Sequence, residues 1–156
     1  MSDDGLPRAR AQGLNHASFT VRDLDRMAAF FDDVLGYRVI SRGPRDAALI
    51  QRMTGIVGAD LEIMFVEGPG HRLELIQYKG PADRSAVFPR LCDVGAAHIG
   101  VDIVDLDGAL EGAARHGFRL AGEVIRIDAG PNAGRRVCYL RDADGITVEF
   151  LELKGG

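Results

Sequence analysis

Asn15-His16-Ala17-Ser18-Phe19-Thr20-Val21-Arg22-Asp23-Leu24-Asp25 stands 82 positions before Ala97-His98-Ile99-Gly100-Val101-Asp102-Ile103-Val104-Asp105-Leu106-Asp107. Histidine matches histidine and Asp-Leu-Asp matches Asp-Leu-Asp without a gap, so the chain reads as a duplication. Both copies run on to a glycine-aromatic pair, Gly36-Tyr37 and Gly117-Phe118. The ends of the halves correspond as well. Leu73-Glu74-Leu75-Ile76 and Val148-Glu149-Phe150-Leu151 each hold a glutamate inside an apolar run.

Working outward, residues 14–21 and 96–104 are rich in β-forming side chains and read as strands. Asp23 and Asp105 then sit at N-cap positions, where a carboxylate accepts the free N–H groups of a first helical turn. Leu24, Met27, Ala28, Phe31, Val34 and Leu35 keep the spacing of one apolar helical stripe; Leu106, Leu110, Ala113 and Ala114 make a thinner one. Gly36 and Gly117 end these helices, because glycine takes the left-handed conformation without strain. Three strands follow each helix, over 37–41, 61–67 and 72–78, then over 118–127, 136–141 and 146–153. Residues 45–54 suggest a short inserted helix. The order is βαβββ twice: a first module over 13–79, a linker over 80–94 and a second module over 95–154 of a single domain spanning 1–156. The class is α+β, with tandem βαβββ modules forming a curved mixed sheet around a cavity.

Alternate side chains of a strand share a face, so each strand can offer one inward residue to a common centre. His16 lies on the face of Ser18 and Thr20, and His98 on that of Gly100 and Asp102. Glu74 and Glu149 point away from their apolar neighbours. Singly, each histidine reads as a hydrogen-bonded structural residue and each glutamate as a solvated one; recurrence in both halves favours a duplicated site. Two imidazoles and two carboxylates suit one divalent ion, Ni, Co, Zn, Mn or Fe. His71 and His116 fall outside the repeat and read as structural. Glu62 could reach the cavity; the 130–135 stretch reads most simply as a surface loop, though it could also close over substrate with Arg135 or Arg136 meeting an anionic group.

The formal charge of −4 and the scattered Lys and Arg residues argue against nucleic acid as a partner. Cys92 and Cys138 are too few for a disulfide framework. The polar start MSDDGLPRAR is no signal peptide, and no window is apolar enough to span a membrane, so the expected location is the cytoplasm.

The repeated order, with Asn15-His16-Ala17, Leu73-Glu74-Leu75, Ala97-His98-Ile99 and Arg141-Asp142-x-Asp144-Gly145-Ile146-Thr147-Val148-Glu149, resembles the vicinal-oxygen-chelate superfamily over residues 13–154. That superfamily includes glyoxalase I, methylmalonyl-CoA epimerase, extradiol dioxygenases and antibiotic-resistance proteins. The resemblance implies that His16, Glu74, His98 and Glu149 are metal ligands. It implies a metal-stabilised enolate formed from a small carbonyl or thioester substrate, with Glu74 or Glu149 as catalytic base. Glu74 favours isomerase, epimerase or lyase chemistry over an Fe(II) dioxygenase, whose triad has no ligand at that place. A drug-sequestering resistance protein is the non-catalytic alternative. Homodimerisation is expected, since open βαβββ sheets bury their free edges by pairing.

Overall fold

The computed structural model describes residues 10–154; the polar N-terminal stretch lies, but for Arg10, outside them. The first module runs β1 (Ala17–Thr20), α1 (Leu24–Leu35), β2 (Arg38–Pro44), α2 (Ala47–Thr54), β3 (Asp60–Gly68) and β4 (His71–Gly80). The second runs β5 (Ile99–Ile103), α3 (Leu106–Arg115), β6 (Arg119–Leu120), β7 (Ile125–Arg126), β8 (Arg136–Arg141) and β9 (Thr147–Glu152). Each module builds its own mixed sheet, in orders β1-β4-β3-β2 and β5-β9-β8-β6, with β7 on β8. The α+β class with tandem βαβββ modules is as read, one mixed sheet to each module, and the first strand of each module is an edge strand.

Local chemistry sets the element ends. The Asp23 carboxylate accepts from the Arg26 N–H at 3.0 Å and Asp105 from Gly108 at 3.0 Å, so both N-caps form as read. Gly36, at φ 67°, closes α1, and its N–H returns to the Asp32 carbonyl. The strand expected over 118–127 breaks into β6 and β7, because Ala121–Val124 pairs with nothing regular and the sheet resumes at Ile125. The inserted helix is present, capped by Asp46.

The modules join through their helices. Phe30 of α1 stacks on Phe118 with centroids 3.9 Å apart, and Gly112 of α3 gives Val34 room that a Cβ would crowd to 3.2 Å. One apolar cluster carries Leu24, Met27, Phe30 and Phe31 together with Leu106, Phe118, Val148 and Phe150, so the core is shared by both modules. Phe30 joins the buried face outside the expected stripe because α3 packs on a wider arc of α1 than one sheet would need.

Tyr37 roofs this core. Its ring lies where a Cβ on Gly68 would come within 2.4 Å, and its hydroxyl meets His71 Nε2 at 2.8 Å. His71 donates through Nδ1 to the Pro69 carbonyl, which leaves Nε2 to accept from the phenol; His71 is structural, as expected. Burial pushes the Tyr37 phenol up to about 12. A proton held more tightly folded than unfolded gives stability that is complete below the ordinary tyrosine value and fades as pH rises through the folded one. Chemical denaturation across pH 9–12 is expected to show a loss of about 2 kcal/mol above pH ~10, and Tyr37→Phe to flatten that limb.

Candidate metal-binding site

The register places both pairs alike. In the first sheet Ser18 lies opposite Glu74, two residues after His16; in the second Gly100 lies opposite Glu149, two residues after His98. Leu73 and Leu75 face the helical core, so Glu74 must leave the opposite face, and Val148 and Phe150 do the same for Glu149. The outcome is the same contact twice. His16 Nε2 is 3.4 Å from a Glu74 carboxylate oxygen, and His98 Nε2 is 3.4 Å from one of Glu149.

Each imidazole is also held by an aromatic wall. Phe65, opposite Glu74, meets His16 edge-on at 5.6 Å; Tyr139, opposite Glu149, meets His98 edge-on at 5.2 Å. The walls differ by one hydroxyl. Burial, then the nearby Glu149 charge, raises the Tyr139 phenol. Sequence reasoning missed both rings, although Phe65 stands nine residues before Glu74 and Tyr139 ten before Glu149. Aligning the strand before each glutamate would have found them.

His16 Nδ1 contacts the Asn15 side-chain oxygen at 2.8 Å, and Arg72 anchors Asn15 through its carbonyl at 3.0 Å. An oxygen acceptor there fixes the proton on Nδ1 and turns the Nε2 lone pair toward Glu74. A lone pair facing a carboxylate at 3.4 Å is an arrangement that a cation between them relieves. Each pair thus offers one nitrogen and one oxygen of the type that borderline divalent ions take, and the donor set fits a metal. Within the chain the pairs do not merge: among the described residues no group of three or more potential ligands forms.

The remaining candidate side chains all have structural partners. Glu62 lies on the helix-side face and pairs with Arg42 at 2.8 Å and Lys79 at 3.6 Å, away from Glu74. Arg135 is bound to Asp102, Asn132 and the Leu151 and Glu152 carbonyls, and Arg136 clamps Glu152 and Asp107, so neither guanidinium waits for a ligand. His116 pairs with Asp33 at 2.9 Å in a structural role. Cys92 and Cys138 are both free thiols, and no helix among the described residues is long and apolar enough to cross a membrane.

Residues 13–150 match the family model of the glyoxalase/bleomycin resistance protein/dioxygenase superfamily. The chain belongs to this superfamily. Among its curated relatives within the superfamily, a 2-epi-5-epi-valiolone epimerase from Actinomyces sp is 32% identical over 161 aligned positions, covering 100% of this chain and 86% of the relative. Human mitochondrial methylmalonyl-CoA epimerase is 25% identical, over 88% of this chain and 72% of its own length. A glyoxalase family protein from Bacillus cereus superposes with a TM-score of 0.80 at 25% identity, covering 94% of this chain and 97% of the other.

Proposed function

We propose that this protein is a metal-dependent epimerase of the superfamily, inverting a carbon next to a carbonyl in a small substrate, with His16, Glu74, His98 and Glu149 as the ligand set. The observation that carries it is the repeated histidine–glutamate pair at 3.4 Å in identical register, in a chain whose full length aligns with an epimerase. A second epimerase, acting on a thioester by its name, aligns over most of the chain.

A divalent ion bound by these residues would supply positive charge beside the substrate's oxygen atoms, which lowers the barrier to removing the adjacent proton. The chain's own groups do the rest. A carboxylate with an uncommitted oxygen takes the proton from one face, and inversion requires a return from the other; Glu74 and Glu149, on different sheets, are the two carriers. Phe65 stands across the ladder from Glu74 and Tyr139 from Glu149, so an aromatic ring borders each carboxylate.

The two pairs sit on β1–β4 and β5–β9, whose outer strands β1 and β5 are free edges. Leu14, Val94 and Val104, close to those edges, expose large apolar side chains. This supports a homodimer in which His16 and Glu74 of one chain meet the partner's His98 and Glu149.

The test is proton exchange. Protein loaded in turn with Ni, Co, Zn, Mn or Fe(II) is incubated in D2O with hydroxylated ketones and with branched acyl thioesters. Deuterium is expected at the carbon next to the carbonyl, seen by NMR, and to be lost in Glu74→Gln or Glu149→Gln. No exchange on any of these substrates with metal bound would sink the epimerase reading, and oxygen uptake with catechols would replace it by ring cleavage.

A further inference from the structure

A cavity of about 580 Å³ lies beneath the linker, at the far end of the sheet face that carries His16 and Glu74. Thr20 and Tyr78 line it, each four residues along its strand from His16 and Glu74 and on the same face. At about 3.3 Å per residue the cavity begins ~13 Å from the histidine–glutamate pair. On these two strands Ile76 and Ser18 stand between, and Ile76 and Tyr78 pack against the Ile50, Leu61 and Ile63 cluster.

The charge balance of this cavity is uneven. Asp144 contributes its only carboxylate among the described residues, but that group is 6% exposed and taken up by Arg22 at 3.4 Å, Arg26 at 3.0 Å and the Arg22 N–H. Arg84, from the linker, donates only to backbone carbonyls, Pro81 at 2.8 Å and Lys79 at 3.4 Å. Among the described residues no carboxylate lies within ion-pair distance of it. Neutral carbonyls orient the exposed guanidinium without cancelling its charge, so Arg84, unlike Arg22, brings an uncompensated positive charge to a cavity bordered by the hydroxyls of Thr20, Tyr78 and Ser85.

We propose that this cavity is a second subsite that holds an anionic group, phosphate or carboxylate, at the far end of the substrate, with Arg84 as its charge partner. That the occupant is the substrate's own end rests on the function proposed above; the anion site itself does not. A substrate whose anionic end lies here places its other end at His16 and Glu74, so the subsite selects by length as well as by charge.

Binding of glycerol 3-phosphate, glycerate and glycerol to the metal-free protein, followed by amide NMR shifts and calorimetry, tests the site without turnover. Glycerol 3-phosphate or glycerate is expected to shift the amides of residues 20–22 and 82–87, weakened by salt, and glycerol to shift none. The stronger of the two anions names the group. Arg84→Gln is expected to weaken that anion about tenfold or more, and Arg84→Lys less, with thermal stability unchanged. His16→Ala is expected to leave it unchanged, which separates this site from the metal ligands. Thr20→Val, on β1 rather than in the linker, gives a second loss should Arg84→Gln disturb the fold. No binding of either anion at millimolar concentration, or binding indifferent to Arg84 and Thr20, overturns the proposal.

Discussion

Co-expressed His16→Ala and His98→Ala chains are expected to recover epimerase activity that neither variant has alone. Each single variant removes one imidazole of the proposed ligand set and should lose at least about a hundredfold in turnover, since several kcal/mol of charge stabilisation would go with the ion. If a site takes His16 and Glu74 from one chain and the partner's His98 and Glu149, a mixed dimer concentrates both defects in one site. The other site is then intact. Random pairing makes half the dimers mixed, so turnover and bound metal should return to about a quarter of the wild-type value. A site closed within one chain allows no such rescue. Mixed dimers isolated with two affinity tags and found as inactive as their parents would therefore refute the shared site, while leaving the ligand assignment to stand on the metal content of the single variants.

The second large effect is on stability. Asp142 has a fully buried side chain at the turn that leads into β9, and it works in two directions. One oxygen accepts the N–H groups of Asp144 and Ile146 at 2.9 Å each; the other meets Arg26 of α1 at 2.6 Å. Arg26 also binds Asp144 and reaches the His116 carbonyl, so this junction ties the first helix to the second module. Asp142→Ala leaves two part-buried N–H groups without their acceptor and strips the half-buried Arg26 guanidinium of its shortest ion pair. Breaking one side of such a pair costs about 3–5 kcal/mol. In a chain of this size each kcal/mol moves Tm by about 2–4 °C, so a fall of roughly 10 °C is expected by calorimetry. Asp142→Asn keeps one acceptor oxygen for the turn and should lose less. Equal Tm values for the alanine variant and the wild type would mean that the modules are held by the Phe30–Phe118 stack and its neighbours alone.

Much of this was legible because the duplication wrote it twice. The caps at Asp23 and Asp105, the glycine ends and the β8 strand depend on residues a few positions apart, and the sequence carries such local chemistry directly. The pairing of His16 with Glu74 was also reachable, since alternation fixes the face of each strand. What the sequence hid depends on which surfaces meet. The faces of β3 could not be told apart by alternation, as both hold apolar residues, so a reach of Glu62 toward the cavity stayed open in the sequence, whereas Arg42 holds it on the other side. Arg135 and Arg136 sit beside a glycine-rich loop that looks free for ligands, and only the fold brings Asp102, Asp107 and Glu152 to them. Tyr139 escaped notice because its importance comes from lying across the ladder from Glu149.

That tyrosine also makes the duplicated site asymmetric. Gene duplication alone would yield two interchangeable walls, and a molecule could enter in either of two poses related by a half-turn with equal ease. With phenol on one wall and plain phenyl on the other, the two poses are no longer equivalent, and the protein can tell one end of a bound molecule from the other.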